Sequence, residues 1–403
     1  MSKASRRRSA LVLCFIGFAV LCCGFAARGQ TSASFVSYLQ GLWPEAEHRG
    51  ITRATFDTAF AGLAPDPNVL AAMRREPEYG KPIGAYLAGL VSPARIAMGQ
   101  RKSAQFAAAL RAVQDRYGVD QAILVSIWGI ESSFGAGAQP WDVFRSVATL
   151  AHARFQPPQF HDELLSALKI LQDGYIARRE LVGSWAGAMG QPQFLPSSYL
   201  KYAVDFDGDG KADIWRNVPD VLGSIANYLQ KNGWQSQLPW GFEVSVPAGF
   251  DYRVSRCSMA ECTQRGLRRA DGNLLPAAGN AILFFPSGAT GPAFLVTDNF
   301  IALKRFNNSD AYALAVAVLA DRLHGLPGVL AAWPADDIQP SRHERIALQH
   351  RLSGLGYKVA DFEGHLDFEL RDAVRELQVR FGMVPDGHPS RAFLDQAGVA
   401  AAR

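Results

Sequence analysis

The chain has little cysteine: five in 403 residues, and three of these (Cys14, Cys22 and Cys23) lie in the N-terminal segment. The remaining two, Cys257 and Cys262, have no histidine or further cysteine beside them. That excludes a thiolate metal centre at this point and reads as a small-loop disulfide in an exported protein. Beyond Ala27 the sequence lacks any run long and apolar enough to span a bilayer. It also lacks an excess of one charge. Its 41 basic and 37 acidic residues leave a net +4, too slight for composition to point to nucleic acid. Disorder is excluded as well, since 48% of residues are hydrophobic and only 19% charged. The length allows two or three domains.

What is present begins with a targeting pattern. Lys3, Arg6, Arg7 and Arg8 precede an uncharged run from Ala10 to Ala27, and Ala27-Arg28-Gly29 offers a cleavage point. Residues 1–29 are therefore expected to be a signal peptide directing export to the periplasm, with an uncleaved anchor as the alternative. Cys22 and Cys23 raise lipidation, but Ala19-Val20-Leu21 lacks the small residue expected just before a lipidated cysteine. Membrane association is expected only through this segment.

Residues 31 to about 110 show helical spacing, as in Phe35, Leu39 and Leu42, then Phe56, Phe60 and Leu63. Residues 106–130 hold one or two helices, with Tyr117-Gly118-Val119-Asp120 as a turn and Asp120 as an N-cap. Further helices are expected at Val143–Leu150, His161–Gly174, Pro219–Gly233 and Asp310–His324, around a Gly- and Pro-rich stretch at 183–215. Between them, Phe242–Val246, Ala281–Phe285 and Ala293–Val296 read as strands of a small sheet. Residues 331–340 look like a linker. Beyond it, Arg342–Gly354 and Glu369–Phe381 are amphipathic helices that share a phrase, Leu348-Gln-His-Arg-Leu352 and Leu377-Gln-Val-Arg-Phe381, which suggests a weak internal repeat.

Glu131 closes an otherwise uncharged apolar run, Ala122-Ile-Leu-Val-Ser-Ile-Trp-Gly-Ile-Glu131. Poor solvation raises the pKa of a carboxyl group, toward the range where it can hold and then donate a proton. Ser-Ser-Phe-Gly135 follows as a helix end, with Gly135 as the expected stop. An acid at the end of a buried helix beside a cleft suits sugar cleavage. An ion pair or a cap is the plainer alternative. Asp142 and Glu180 are candidate second acids, though neither has so apolar a setting.

Asp205-Phe-Asp207-Gly-Asp209-Gly210-Lys211-Ala-Asp213 sets oxygen ligands at positions one, three, five and nine of an EF-hand-like loop, with Gly at six. Position seven ligates through its backbone carbonyl, which suits Lys211. Arg216 stands at twelve in place of the bidentate Glu, and Asp220 is near enough to close the shell if the loop is longer. Four carboxylates in nine residues repel one another without a cation, so a structural Ca²⁺ is expected over an ordinary Asp/Gly turn. Gly183-Ser184-Trp-Ala-Gly-Ala-Met189-Gly-Gln191-Pro-Gln193-Phe194 is rich in glycine and amides, which suit sugar hydroxyls but by themselves make only a polar loop.

Five segments together resemble the membrane-bound lytic transglycosylase B family of murein-cleaving enzymes. They are Ile130-Glu-Ser-Ser-Phe-Gly135, Gly187-Ala-Met-Gly-Gln-Pro-Gln-Phe194, Tyr202-Ala-Val-Asp-Phe-Asp-Gly-Asp-Gly210, Ser224-Ile-Ala-Asn-Tyr228 and the stretch from Asn299-Phe300. The resemblance runs in order from about Phe35 to Gly325. The C-terminal Leu348-Gln-His-Arg-Leu-Ser-Gly-Leu-Gly-Tyr357, Asp361-Phe-Glu-Gly364, Ala373-Val-Arg-Glu-Leu-Gln378 and Pro385-Asp-Gly387 resemble a small peptidoglycan-binding domain. The resemblance implies a mainly α (α+β) chain: a lysozyme-like helical catalytic core at 31–330 with a small β subdomain, a linker at 331–340 and a three-helix domain at 341–400.

It also implies a lytic transglycosylase that cleaves the MurNAc–GlcNAc bond, with Glu131 as acid and then base. Ser184, Gln191, Gln193, Tyr228 and Tyr312 would line the sugar groove. Asp205, Asp207, Asp209, the Lys211 carbonyl and Asp220 would hold Ca²⁺, with Asp213 a further loop position. Phe306 stands where the family pattern has Tyr, so a hydroxyl contact there is missing. The implied partner is the peptidoglycan glycan strand. A hydrolytic muramidase and a non-catalytic wall-binding protein are the rival readings. A chain ending near Ala335 is expected to cleave soluble fragments but to lose sacculus binding.

Overall fold

The computed structural model describes residues 33–73, 80–154 and 159–399. The expected signal peptide lies outside them. Among the described residues no helix is long and apolar enough to cross a membrane.

The N-terminal unit has two helical cores meeting along a seam. One is built from short helices, α1 (33–41), α2 (Trp43–His48), α3 (Arg53–Phe60) and α4 (Pro67–Met73). The other begins with α5 (Ile83–Leu90), α6 (Pro93–Gln105), α7 (Ala107–Tyr117) and α8 (Gln121–Ser132). The turn before α8 follows from its residues. Gly118 takes the left-handed conformation that ends α7, and Asp120 Oδ1 accepts the amides of Ala122 and Ile123. α8 is apolar nearly all round and therefore has to be buried.

The two-residue strand β1 (Trp141–Asp142) leads into α9 (Val143–His152) and then α10 (Gln159–Gln172). These pack with α1–α4 into the first core. Strand β2 (Val182–Gly183) pairs with β1, and α11 (Pro196–Tyr202) and α12 (Val218–Lys231) follow.

Five strands form an antiparallel sheet in the order β4-β6-β7-β3-β5: β3 (Gly241–Ser245), β4 (Arg256–Ser258), β5 (Arg268–Arg269), β6 (Asn280–Phe284) and β7 (Ala293–Val296). Leu295 faces Phe242 on one side and Leu283 on the other. α13 (Met259–Gln264) follows β4 and is tied back to it by the Cys257–Cys262 disulfide. The chain then returns through α14 (Asp298–Phe306) and α15 (Asp310–Leu323), and α15 packs along α8 in the second core.

The C-terminal unit has its own core and three helices: α16 (Arg342–Gly354), α17 (Phe368–Arg380) and α18 (Arg391–Gln396). The repeated phrase has a structural basis. Gln349 accepts the Gly364 amide and donates to the His365 carbonyl, while Gln378 accepts the Gly387 amide and donates to the His388 carbonyl. Each buried glutamine clamps one Asp/Gly turn. Residues 331–340 form no regular element, yet they are packed. The Trp333 ring stacks on Phe294 at 6.4 Å, and buried Gln339 donates to the Pro286 carbonyl.

The C-terminal unit is also docked. Phe368, Arg371 and Arg375 lie on one face of α17. Phe368 enters the second core beside Phe284 and Phe300, and Arg375 donates to the Leu283 carbonyl at 2.8 Å.

Candidate active site

Glu131 sits half-buried in the last turn of α8. The helix does not run on to Gly135. Ser133 (φ 50°) and Phe134 (φ 61°) are both left-handed, and Ser133 takes the cap. The reason is packing. The sharp reversal lays the Phe134 ring on Gly129, where any β-carbon would collide with it, and edge-on against Trp128 at 5.5 Å. Ser132 Oγ secures the turn by accepting the Gly135 amide. Gln193, in the facing loop, is likewise left-handed at φ 53°. Such strain persists only where surrounding structure imposes it, and it gathers at functional sites.

Tyr312, in the first turn of α15, is buried, and its hydroxyl donates to Glu131 Oε1 at 2.5 Å. Beyond Tyr312 an aromatic wall crosses the seam. The Phe306 ring lies nearly parallel to Tyr312 (9°, centroids 6.4 Å apart) and meets Tyr228 at 4.8 Å; Tyr228 meets Phe194 at 5.7 Å and Tyr202 at 4.6 Å. Phe306 packs against both helical cores. The Tyr228 hydroxyl donates to the Arg305 carbonyl at 2.5 Å, and burial pushes its pKa up to about 12. It therefore presents a ring with its hydroxyl already engaged.

The amide-rich loop divides into inward and surface residues. Gln191 is a correction to the expectation of a sugar contact. Its side chain is buried, accepts from Trp128 Nε1 at 2.6 Å and donates to the Trp215 carbonyl at 2.9 Å. It ties α8 to the acidic loop. Ser184 Oγ accepts the amides of Ala186 and Ala188, holding the loop's shape. Gln193 Nε2 donates to the Gly190 carbonyl, which Gln139 Nε2 also reaches. Sequence reasoning misses Gln139, because nothing in its neighbours marks it. Asp142 caps α9 and pairs with Arg178, and Glu180 pairs with Arg216, so both rival acids are held in ion pairs.

In the acidic loop, ligand atoms of Asp205, Asp207 and Asp209 lie within 4.8 Å of one another. Gly208 (φ 81°), between Asp207 and Asp209, and Gly210 (φ 94°), just after Asp209, supply the left-handed turns. Three hard carboxylate donors converging on one point fit Ca²⁺. The other expected ligands are used differently. Asp213 accepts the Trp215 and Arg216 amides, and the Lys211 carbonyl accepts the Asp213 amide. Asp220, fully buried at the start of α12, accepts the Phe206 and Asp213 amides at 2.7 and 2.8 Å. It closes the loop through the backbone.

Comparison with known proteins agrees with this geometry. Residues 34–321 match the transglycosylase SLT domain family and residues 341–396 a peptidoglycan binding domain family. The chain is 34% identical over 223 residues to membrane-bound lytic murein transglycosylase B of Escherichia coli (strain K12), covering 53% of this chain and 59% of the relative's length. It is similar to the crystal structure of SltB3 from Pseudomonas aeruginosa in complex with NAG-anhNAM-pentapeptide (TM-score 0.81, 44% identity, 90% of this chain and 99% of that one). The Escherichia coli lytic transglycosylase Slt35 in complex with calcium is similar at TM-score 0.61 and 27% identity, over 73% of this chain and 93% of that one.

Proposed function

The chain belongs to the transglycosylase SLT family, and from that premise we propose that it is a lytic transglycosylase of peptidoglycan with Glu131 as its acid and base. The observation that carries this reading is the Tyr312–Glu131 hydrogen bond, which aims the carboxyl group at the end of a rigid, buried helix. Glu131, protonated, donates to the glycosidic oxygen between MurNAc and GlcNAc as that bond breaks. Charge builds at the anomeric carbon and is met by the substrate's own N-acetyl group, so no second carboxylate is required; two-carboxylate glycosidases differ in this respect. Glu131, now a carboxylate, takes the proton of the C6 hydroxyl as that oxygen attacks. The product is 1,6-anhydro-MurNAc, and no water is consumed. One group suits both steps when its proton affinity lies near the working pH.

Tyr312 orients the carboxyl group, and the ring faces of Tyr228 and Phe306 offer an apolar wall to sugar rings. Asp205, Asp207 and Asp209 would hold Ca²⁺, whose part is to neutralise them and stiffen the loop. Gln191 then transmits that rigidity to Trp128 on α8. The C-terminal domain contributes binding to the wall, and residues 1–29 direct export to the periplasm.

Mass spectrometry of sacculus digests tests the activity. Anhydro-muropeptides are expected; products heavier by one water identify a hydrolytic muramidase instead. Glu131→Gln should abolish cleavage while the protein still pellets with murein. Undiminished turnover by that variant would remove Glu131 from the chemistry.

A further inference from the structure

A buried charge cluster joins the two domains and is used by no step above. The Asp310 carboxylate lies 2.6 Å from Lys304 Nζ and 2.6 Å from Arg371 Nη2. All three side chains are buried. Burial alone would push the Asp310 carboxyl up, but Lys304 and Arg371 together hold it well below the usual carboxylate range. Arg371 comes from α17 of the C-terminal domain. Its guanidinium lies 4.9 Å from the Phe284 ring centroid and also donates to the Gly387 carbonyl.

Asp310 is the first residue of α15, and Tyr312 is two residues on. Side chains two apart on a helix point to different sides. One turn is thus gripped twice, by Arg371 through Asp310 and by Glu131 through Tyr312. A buried ion is held by its partners, so losing the guanidinium leaves Asp310 with Lys304 alone and lets the carboxylate shift toward it. The first turn of α15 carries Tyr312 with it.

Resting on the reading of Glu131 as the acid and base, we infer that Arg371 is a positioning residue for the Tyr312–Glu131 pair. The wall-binding domain is then part of the catalytic frame as well as a tether.

The test uses the full chain and soluble murein oligosaccharides, so that wall tethering has no influence. Arg371→Met should lower kcat about tenfold, a size that follows from slight misplacement of a catalytic group, with KM changed less than about twofold. Arg371→Lys should recover part of the loss and carries the test if Arg371→Met does not fold. In a Tyr312→Phe background the Arg371 change should cost nothing further, because the two act in series. Arg256→Met, which breaks the exposed contacts to Asp372 and Glu369 at the same domain interface, should leave kcat unaltered. Wild-type kcat in folded Arg371→Lys and Arg371→Met, or losses that multiply with Tyr312→Phe, would overturn the inference. If Glu131→Gln itself stays active, the underlying site assignment fails, and the two failures are distinguishable.

Discussion

The Tyr312 hydroxyl lies 2.5 Å from Glu131 Oε1, although 181 residues separate the two in sequence. α8 brings the acid and α15 brings its partner, and the packing of these two apolar helices sets the distance. With Glu131 as the proposed acid and base, loss of this bond is expected to act on turnover more than on affinity.

Tyr312→Phe should therefore lower kcat about 10- to 100-fold, with KM changed much less. The ring is retained, so packing against Phe306 and the fold should survive. Steady-state kinetics on soluble fragments, with a melting curve alongside, makes the check. A rise in KM at constant kcat would instead make Tyr312 a simple substrate contact.

Calcium should stabilise the protein through the Asp205–Asp207–Asp209 cluster. At a hundredfold excess over its Kd, a ligand that binds only the native state adds about 2.7 kcal/mol. Chelation should lower Tm, added Ca²⁺ should restore it, and Asp207→Asn should lose most of that response. Calorimetry with and without chelator decides; a Tm indifferent to calcium would mean the loop holds itself by its backbone bonds alone.

Asp321 offers a pH-dependent test away from the site. It accepts from Trp240 Nε1 at 3.1 Å and borders two cavities, of about 190 and 520 Å³. Burial pushes its pKa up to about 6, against the Trp240 N–H and the charges of His324 and Arg269, with Asp120 adding to the rise. The folded protein therefore holds this proton where the unfolded chain has lost it. The sign follows: this contribution is present below the unfolded pKa near 4 and is lost as pH rises through 6, with each tenfold difference in proton affinity worth about 1.4 kcal/mol. Asp321→Asn keeps an acceptor for Trp240 and removes the charge. It should raise stability by roughly 1–3 kcal/mol at pH 7 and by little at pH 4. Chemical denaturation at both pH values makes the comparison.

Removing the C-terminal domain should cost the catalytic unit stability as well as wall binding. A chain ending near Ala335 uncovers Phe284 and Phe300 from Phe368 and leaves buried Asp310 with Lys304 alone. Losing one partner of a buried pair costs about 3–5 kcal/mol, enough for a fall in Tm of about 5 °C or more. Differential scanning calorimetry of the truncated and full chains tests this, and matching Tm values would mark the docking as energetically idle.

Much of the architecture is legible in the sequence because it is local. The Tyr117–Asp120 turn, the ends of α16 and the β7 strand all follow from caps, glycines and side-chain period, which act within a few residues. Where local cues compete, packing wins. Gly135 is the better stop by propensity, yet α8 ends at Ser132 because the Phe134 ring must reach Gly129. The resemblance implies Gln191 as a groove residue, and tertiary structure turns its side chain inward to Trp128 and Trp215. Nothing in the amphipathic pattern of residues 369–381 sets Arg371 and Arg375 apart, yet both lie buried and reach Asp310 and the Leu283 carbonyl.

By itself the sequence determined that the run before Glu131 would be a buried helix with one charge at its end, since an uncharged apolar segment cannot remain in water. It also marked the acidic loop from Asp205 to Asp213 as a cluster of carboxylates, of which the structure brings Asp205, Asp207 and Asp209 together. Only the tertiary structure decided which groups meet those residues: Tyr312 at Glu131, Asp220 beneath the acidic loop, and Arg371 behind the helix that carries Tyr312. Propensity and spacing act over a few residues. Contacts between distant segments are set by how whole helices pack, and that information is held by no single stretch of chain.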